Sequence, residues 1–197
     1  MVKKKDIAAL FQAIRNGDTQ TVQNLVATNK DFVNICRAAP PKKDDGQSPL
    51  QVAFKTAHFE IAAYLIDQGA NVNHIEESKI NDWRAPVLHD ALRAAAFNAG
   101  KDRFKDAIAL IKRMLKLGAD PNAVDSFGNS SLIRSILDAK ICFPIDKTKA
   151  SSQVVADIAV IFSTLIEAGA DVHASNPKRP SSAFQATRGT LLEPFVK

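Results

Sequence analysis

Four stretches of the chain carry apolar residues at the 3.6-residue period of a half-buried helix, and each stops in a similar way. The run through Leu65-Ile66-Asp67-Gln68 passes into Gly69-Ala70-Asn71-Val72-Asn73, and the run through Leu115-Lys116-Leu117 passes into Gly118-Ala119-Asp120-Pro121-Asn122. A third ends Leu165-Ile166-Glu167-Ala168 and continues Gly169-Ala170-Asp171-Val172-His173. A weaker copy, Leu25-Val26-Ala27-Thr28, meets Asn29 and runs on to Val33-Asn34. Gly and Asn tolerate the left-handed conformation that follows a helix, so each pattern predicts a helix C-terminus.

A matching start precedes these ends. Ser48-Pro49-Leu50-Gln51-Val52-Ala53 places a hydroxyl at the N-cap and Pro in the first turn. Pro86-Val87-Leu88-His89-Asp90-Ala91 and Ser130-Ser131-Leu132-Ile133 are weaker echoes. Each unit therefore begins a helix, turns, and closes with a second helix. Leu50 to Gly69 and Leu10 to Asn29 are both 19 residues, and Gly118 to Leu132 and Gly169 to Ala183 are both 14. The two spacings make a period of 33 residues, a length at which helical repeats stack into a solenoid.

With this period, the Ser-Pro-Leu-Gln-Val-Ala start at 48–53 and the Gly-Ala-Asn-Val-Asn close at 69–73, the chain resembles the ankyrin-repeat family from about residue 6 to residue 193. The resemblance implies an all-α solenoid of stacked helix–turn–helix repeats linked by β-turn fingers. It divides the chain as a single domain, 1–197, into repeats at about 6–44, 45–84, 85–124 and 125–175, with a C-terminal cap at 176–197. Within the cap, residues 181–193 are expected as a half-repeat whose helix runs through Thr190-Leu191-Leu192, with Gly189 the residue able to break it.

The chain departs from a uniform repeat in its lengths. Leu88 to Gly118 and Leu132 to Gly169 exceed the 19-residue yardstick by 11 and 18 residues, which places insertions at the intra-repeat turns, 97–104 and 139–152. Asn29 to Leu50 and Gly69 to Leu88 exceed 14 by 7 and 5, which lengthens the fingers at 35–47 and 74–86. In a helix–turn–helix stack the fingers and turns lie on opposite edges, so the two kinds of insertion mark rival working edges. Only repeat 3 keeps the family's His, as His89. Gln51 and Ile133 stand in that position in repeats 2 and 4, which puts their share of the family's capping hydrogen bonds in question.

Composition narrows the functional classes. With 46% hydrophobic residues the chain can bury a core, and 11 Phe against one Trp and one Tyr suits helical packing. A net charge of +5 permits an acidic partner without demanding one. Cys36 and Cys142 form no disulfide or metal framework, which points to a reducing cytoplasm. The basic start Lys3-Lys4-Lys5 leads into no apolar segment of signal-peptide length, and no stretch reaches 18 uninterrupted apolar residues.

No chemistry emerges from the motifs. His58, His74, His89 and His173 lack metal-ligand spacing, and there is no Gly-rich phosphate loop, Gly-x-Ser-x-Gly or Cys-x-x-Cys. His89 and Asp90, adjacent on a helix, point to different faces, and His89 is expected to hydrogen-bond a neighbouring finger. Cys36 beside Arg37 reads either as a mildly activated thiol or as a plain finger residue. The expectation is therefore a protein with no catalytic residues, cofactor or metal.

What remains is binding. Trp83 lies in the extended finger beside Arg84, and Trp and Arg dominate interface hot spots; the competing role for Trp83 is to pin the finger to the helix below. By the family's use of finger tips and first helices, the resemblance implies Gln47, Gln51, Lys55, Trp83, Arg84, Arg93, Asn129 and Arg134 as partner-binding residues. Residues 101–116 hold six basic residues against two acidic. Helical spacing aligns Lys101, Lys105, Lys112 and Lys116 on a solvated outer side, and Phe104 alone is a poor platform for nucleic acid. The leading expectation is a cytoplasmic, monomeric protein–protein interaction module. A narrower form is an inhibitor or immunity-type protein that occludes an enzyme or toxin. A third is a binder of an acidic polymer such as nucleic acid.

Overall fold

The computed structural model describes residues 2–143, 151–176 and 178–196. Four helix pairs follow one another: α1 (Lys4–Asn16) with α2 (Thr19–Thr28), α3 (Pro49–Lys55) with α4 (Phe59–Asp67), α5 (Val87–Phe97) with α6 (Phe104–Lys116), and α7 (Ser131–Cys142) with α8 (Ser152–Glu167). A short α9 (Ala183–Thr187) follows the strands β1 (Ser175–Asn176) and β2 (Arg179–Ser182), which pair antiparallel.

First helices pack on first helices, from α1 through α3, α5 and α7 to α9, while α2, α4, α6 and α8 form the second layer. The core runs unbroken between the layers, from Leu10, Phe11 and Ile14 through Leu50, Phe54 and Leu65 to Leu88, Leu92 and Ile111, then Ile136, Ile161 and Phe162. Burying one such side chain is worth about 1.5–3 kcal/mol, so neighbouring repeats hold each other in place. α5 buries Ala91, Ala94, Ala95 and Ala96, small residues that let four neighbouring helices, α3, α6, α7 and α8, approach its backbone.

Local chemistry sets most helix ends as the sequence predicts; the exception is Asn29 after α2, which is extended at φ -153° rather than left-handed and caps the 3-10 turn that follows through the Asp31 N–H. Ser48 and Gln51 form a capping box on α3 with Pro49 in the first turn, and Ser130 caps α7 through the Ile133 N–H. Gly69, Gly118 and Gly169 all have φ near +90°, and the next residue's N–H returns to the carbonyl of Leu65, Met114 and Leu165 respectively. An L side chain is strained at that φ, which is why glycine recurs there.

An asparagine ladder links successive repeats. Asn34 Nδ2 donates to the Gly69 carbonyl at 3.1 Å and its Oδ1 accepts from Asn71 N–H at 2.7 Å. Asn73 makes the same pair with Gly118 and Asp120, and Asn122 with Gly169 and Asp171. His173 occupies this position in the fourth copy, where the ladder stops.

The insertions lengthen helices as well as loops. Relative to α3 and α4, the 11 extra residues of repeat 3 divide into four in α5, four in α6 and three in the turn. In repeat 4, α7 gains five residues and α8 seven; most of the remaining insertion, residues 144–150, lies outside the described residues. Two expectations are corrected. The terminal helix does not run through Thr190–Leu192: α9 ends at Thr187, Gly189 turns the chain at φ +69°, and a 3-10 turn at Glu193–Phe195 follows. Lys101 lies outside α6, in the turn before it, where its Nζ donates to the Phe97 carbonyl.

Candidate functional site

The lengthened fingers are bound to one another along one edge of the stack. Asp45 in the first finger accepts from Ala39 N–H, Ser78 Oγ and Lys79 N–H, and the Ser78 bond holds its carboxyl below the usual range. Arg84 and Ser126 exchange backbone contacts between the second and third fingers, with Ser126 Oγ donating on to the Asp82 carbonyl. Asn176 then reaches back to Phe127 and Asn129 from the last finger.

Trp83 serves this edge as a pin. Its Nε1–H donates to Asp125 Oδ2 at 3.0 Å, with Lys55 Nζ and the Arg134 guanidinium 5.6 and 5.7 Å from its ring centroid. Asp125 also gathers the N–H groups of Phe127 and Asn129 and the Asn129 amide. Burial works to raise its carboxyl, but these hydrogen bonds prevail and hold it below the ordinary value.

Beside Trp83, where α3 and α5 meet the second finger, lies a cavity of about 250 Å³. Phe54, Trp83 and Phe97 supply its apolar walls, Asp90 its floor, and Lys55 and Arg93 its charges. Lys55 Nζ contacts Glu76 Oε2 at 3.1 Å and Asp90 Oδ1 at 3.8 Å. Arg134 holds Asp138 with Nε and Nη2 at 3.1 and 2.5 Å, a bidentate pair over a fully buried carboxylate. Arg93 lies over the Phe97 ring at 5.1 Å, with its Nε 3.9 Å from the same Asp138.

The structure brings four of the eight sequence-predicted residues together here, Lys55, Trp83, Arg93 and Arg134, and leaves Arg84 exposed on the same finger, next to Trp83. Gln47, Gln51 and Asn129 are corrected, because all three are buried and their amides serve the fold. Gln47 Nε2 points to Glu76, and Asn129 is bound into the Asp125 turn. Gln51 completes its capping box and donates Nε2 to the Ala85 carbonyl and to Asp90 Oδ2, both at 3.0 Å.

That last finding also settles the position of the family histidine. His89 Nε2–H donates to the Ala123 carbonyl at 3.0 Å, as expected for a bond to the next finger, and desolvation lowers its pKa to about 4. Gln51 makes the equivalent bond to Ala85 one repeat earlier, so the capping bond survives there without a His. Ile133 has no group to make it.

The other sequence candidates lie away from this cavity. Burial, with a further contribution from Glu77, pushes the Cys36 thiol up, so it is not activated. Phe104 is buried, while Lys101, Lys105, Lys112 and Lys116 are exposed; Arg113 is paired with Asp67 on α4. Sequence reasoning missed Phe97, the last residue of α5, because a terminal aromatic in an Ala-rich run gives no sign that it will face a cavity. Asp90 was seen only as the neighbour of His89.

Among the described residues there is no group of three or more His, Cys, Asp or Glu placed to hold a metal ion, and no helix long and apolar enough to cross a membrane. No curated protein matches the chain. Residues 2–76 match the family described as ankyrin repeats (3 copies), a span that covers the first two helix pairs and the opening of the second finger. The glycine-closed helices and asparagine ladder of that span continue through α8, and the chain folds as an ankyrin-repeat solenoid.

Proposed function

We propose that the protein is an interaction module that binds a protein partner on the face formed by its fingers and first helices. Ankyrin repeats are generally protein–protein interaction modules. The observation that carries the reading here is the cavity beside Trp83, where aromatic walls and two cationic side chains converge on a rigid finger edge. A recess that combines aromatic surface with Arg is the composition from which interface hot spots are built. Exposed Ile80 and Phe127, on the neighbouring finger tips, extend the apolar surface. On this reading the protein works by occupying a surface rather than by catalysis, as a monomer in the cytoplasm. Its free thiols, Cys36 and Cys142, suit a reducing compartment. An inhibitor that occludes an enzyme or toxin is the narrower form of the same reading.

The test is affinity capture with the tagged chain and two charge-reversed variants. Arg84→Glu with Arg93→Glu alters the proposed face, and Lys112→Glu with Lys116→Glu alters the outer helix layer. The expected result is one stoichiometric protein partner, lost in the first variant and kept in the second. Loss in the second variant alone would overturn the reading and move binding to the outer layer. An assay of the captured partner's activity, with and without the module, tests the inhibitor form.

A further inference from the structure

The charges packed around the cavity are sorted by depth. Glu76, Asp90, Asp125 and Asp138 are all buried. The cations above them are more accessible: the side chains of Lys55, Arg93 and Arg134 are 23%, 37% and 14% exposed, and Arg84 is exposed outright. Asp82 is exposed on the finger next to Trp83, but inside the cavity itself a molecule meets the N–H donors of Lys55 and Arg93 and the aromatic rings before it meets Asp90.

Two of the groups in the cavity have unspent capacity. Asp138 is already held in bidentate fashion by Arg134, and Arg93 makes no hydrogen bond among the described residues. Asp90 is 2% exposed; its Oδ2 accepts from Gln51, while its Oδ1 has no hydrogen-bond partner among the described residues and only Lys55 Nζ at 3.8 Å. A buried oxygen left in that state is costly unless it carries a proton or finds a partner.

We propose that this cavity receives a carboxylate side chain from an acidic segment of the protein partner, held between Arg93 and Lys55 and walled by Trp83 and Phe97. The proposal rests on the binding face proposed above and names the chemistry of its ligand. A cationic group would meet Lys55 and Arg93 first. A carboxylate meets complementary charge at the mouth and, at the floor, a carboxyl with which it can share a proton.

Asp90 makes the binding depend on pH. The groups acting on it are Lys55 and Gln51 from α3, Glu76 from the finger, and Arg93 from its own helix, with the Arg134–Asp138 pair of α7 beyond Arg93. Burial outweighs the neighbouring cations and pushes Asp90 up to about 7. Below that pH its carboxyl can donate to the incoming carboxylate, and above it two anions would face each other. Binding tightens as pH falls from 8 to 6, by a limit of about tenfold for one proton with this pKa.

Trp83 is the only tryptophan, so its fluorescence reports this cavity directly. The probe is an acetylated, amidated hexaglutamate peptide, compared with the matching hexaglutamine peptide and a short single-stranded DNA, at fixed ionic strength. The expected result is a saturable Trp83 response to the glutamate peptide alone, several-fold tighter at pH 6 than at pH 8. Arg93→Gln weakens it at least several-fold, and Asp90→Asn removes the pH dependence, with circular dichroism verifying that both variants fold. Equal binding of the glutamine peptide, indifference to both substitutions, or a response to DNA in preference to the peptide would each overturn the proposal. Peptide failure alongside successful capture through Arg84 and Arg93 rejects the carboxylate and keeps the face; failure of both rejects both.

Discussion

Asp90→Asn is the substitution that exposes most directly how charge is buried in this stack. The carboxyl is raised from 3.8 to about 7 because ionising it between α3 and α5 removes it from water, and Lys55 at 3.8 Å returns only part of that loss. The folded protein therefore holds a proton on Asp90 between about pH 4 and 7 that the unfolded chain has released. More protons on the folded side means that stability falls as pH rises through this window and is level above it. The full span corresponds to a loss on the order of 4 kcal/mol, and the portion between pH 5 and 8 to about 3 kcal/mol.

Asparagine imitates the protonated acid. Its oxygen still accepts the Gln51 amide, and it does not titrate, so the variant escapes the loss. The measurement is urea unfolding of wild type and variant at pH 5, 6, 7 and 8, followed by Trp83 fluorescence and by circular dichroism. Agreement of the two probes tests whether the stack unfolds as one unit, which repeat arrays do not always do. The variant's advantage over wild type should grow by about 3 kcal/mol from pH 5 to pH 8, or by about half of that if water reaches the unfilled cavity. His89, lowered to about 4, destabilises the fold as pH falls from 6.5 towards 4. It does so in both proteins and cancels in the difference. A pH-independent difference across the range would refute the account of a buried, titrating Asp90.

Three further outcomes follow from the contacts. Asn122→Ala removes both of its bonds to the next repeat and should cost about 1–3 kcal/mol by thermal unfolding, with hydrogen exchange rising first around Gly169–Asp171. Trp83→Phe keeps the ring but loses the bond to Asp125, and should cost about 1 kcal/mol in a urea titration followed by circular dichroism. His89→Gln should stay within about 1 kcal/mol of wild type by calorimetry, because Gln51 already makes this bond in repeat 2, whereas His89→Leu should cost about 1–3 kcal/mol by leaving the Ala123 carbonyl without its donor.

The repeat boundaries were legible because they rest on local chemistry. Gly69, Gly118 and Gly169 sit where only a left-handed residue closes the helix, and Ser48-Pro49 marks a helix start by capping alone. The break at Gly189 was visible in the same way, yet the apolar run Leu191-Leu192 favoured a longer helix than the one that forms. The face was legible only in part. Lys55, Trp83 and the arginines could be placed by their position in the repeat. Whether Gln51 or Asn129 faces outward depends on partners 39 and 47 residues away, Asp90 and Asn176, and no local pattern encodes them.

The insertions are where the rest of the information lies. A uniform repeat would end its first helix at the equivalent of Arg93, since Leu88 of α5 stands where Leu50 stands in α3. The four added residues of α5 contribute Ala94 and Phe97 to the cavity, and the lengthened finger contributes Trp83. Read along the chain, finger and turn insertions mark opposite edges of the stack and compete as working surfaces. In space they meet: the longer helix raises one aromatic wall, the longer finger folds down the other, and Asp125 fixes the second wall through the Trp83 indole. A chain trimmed to the regular period would keep its ladder, would lose the buried Ala94, Ala95 and Ala96 of α5, and would have no recess beside Asp90.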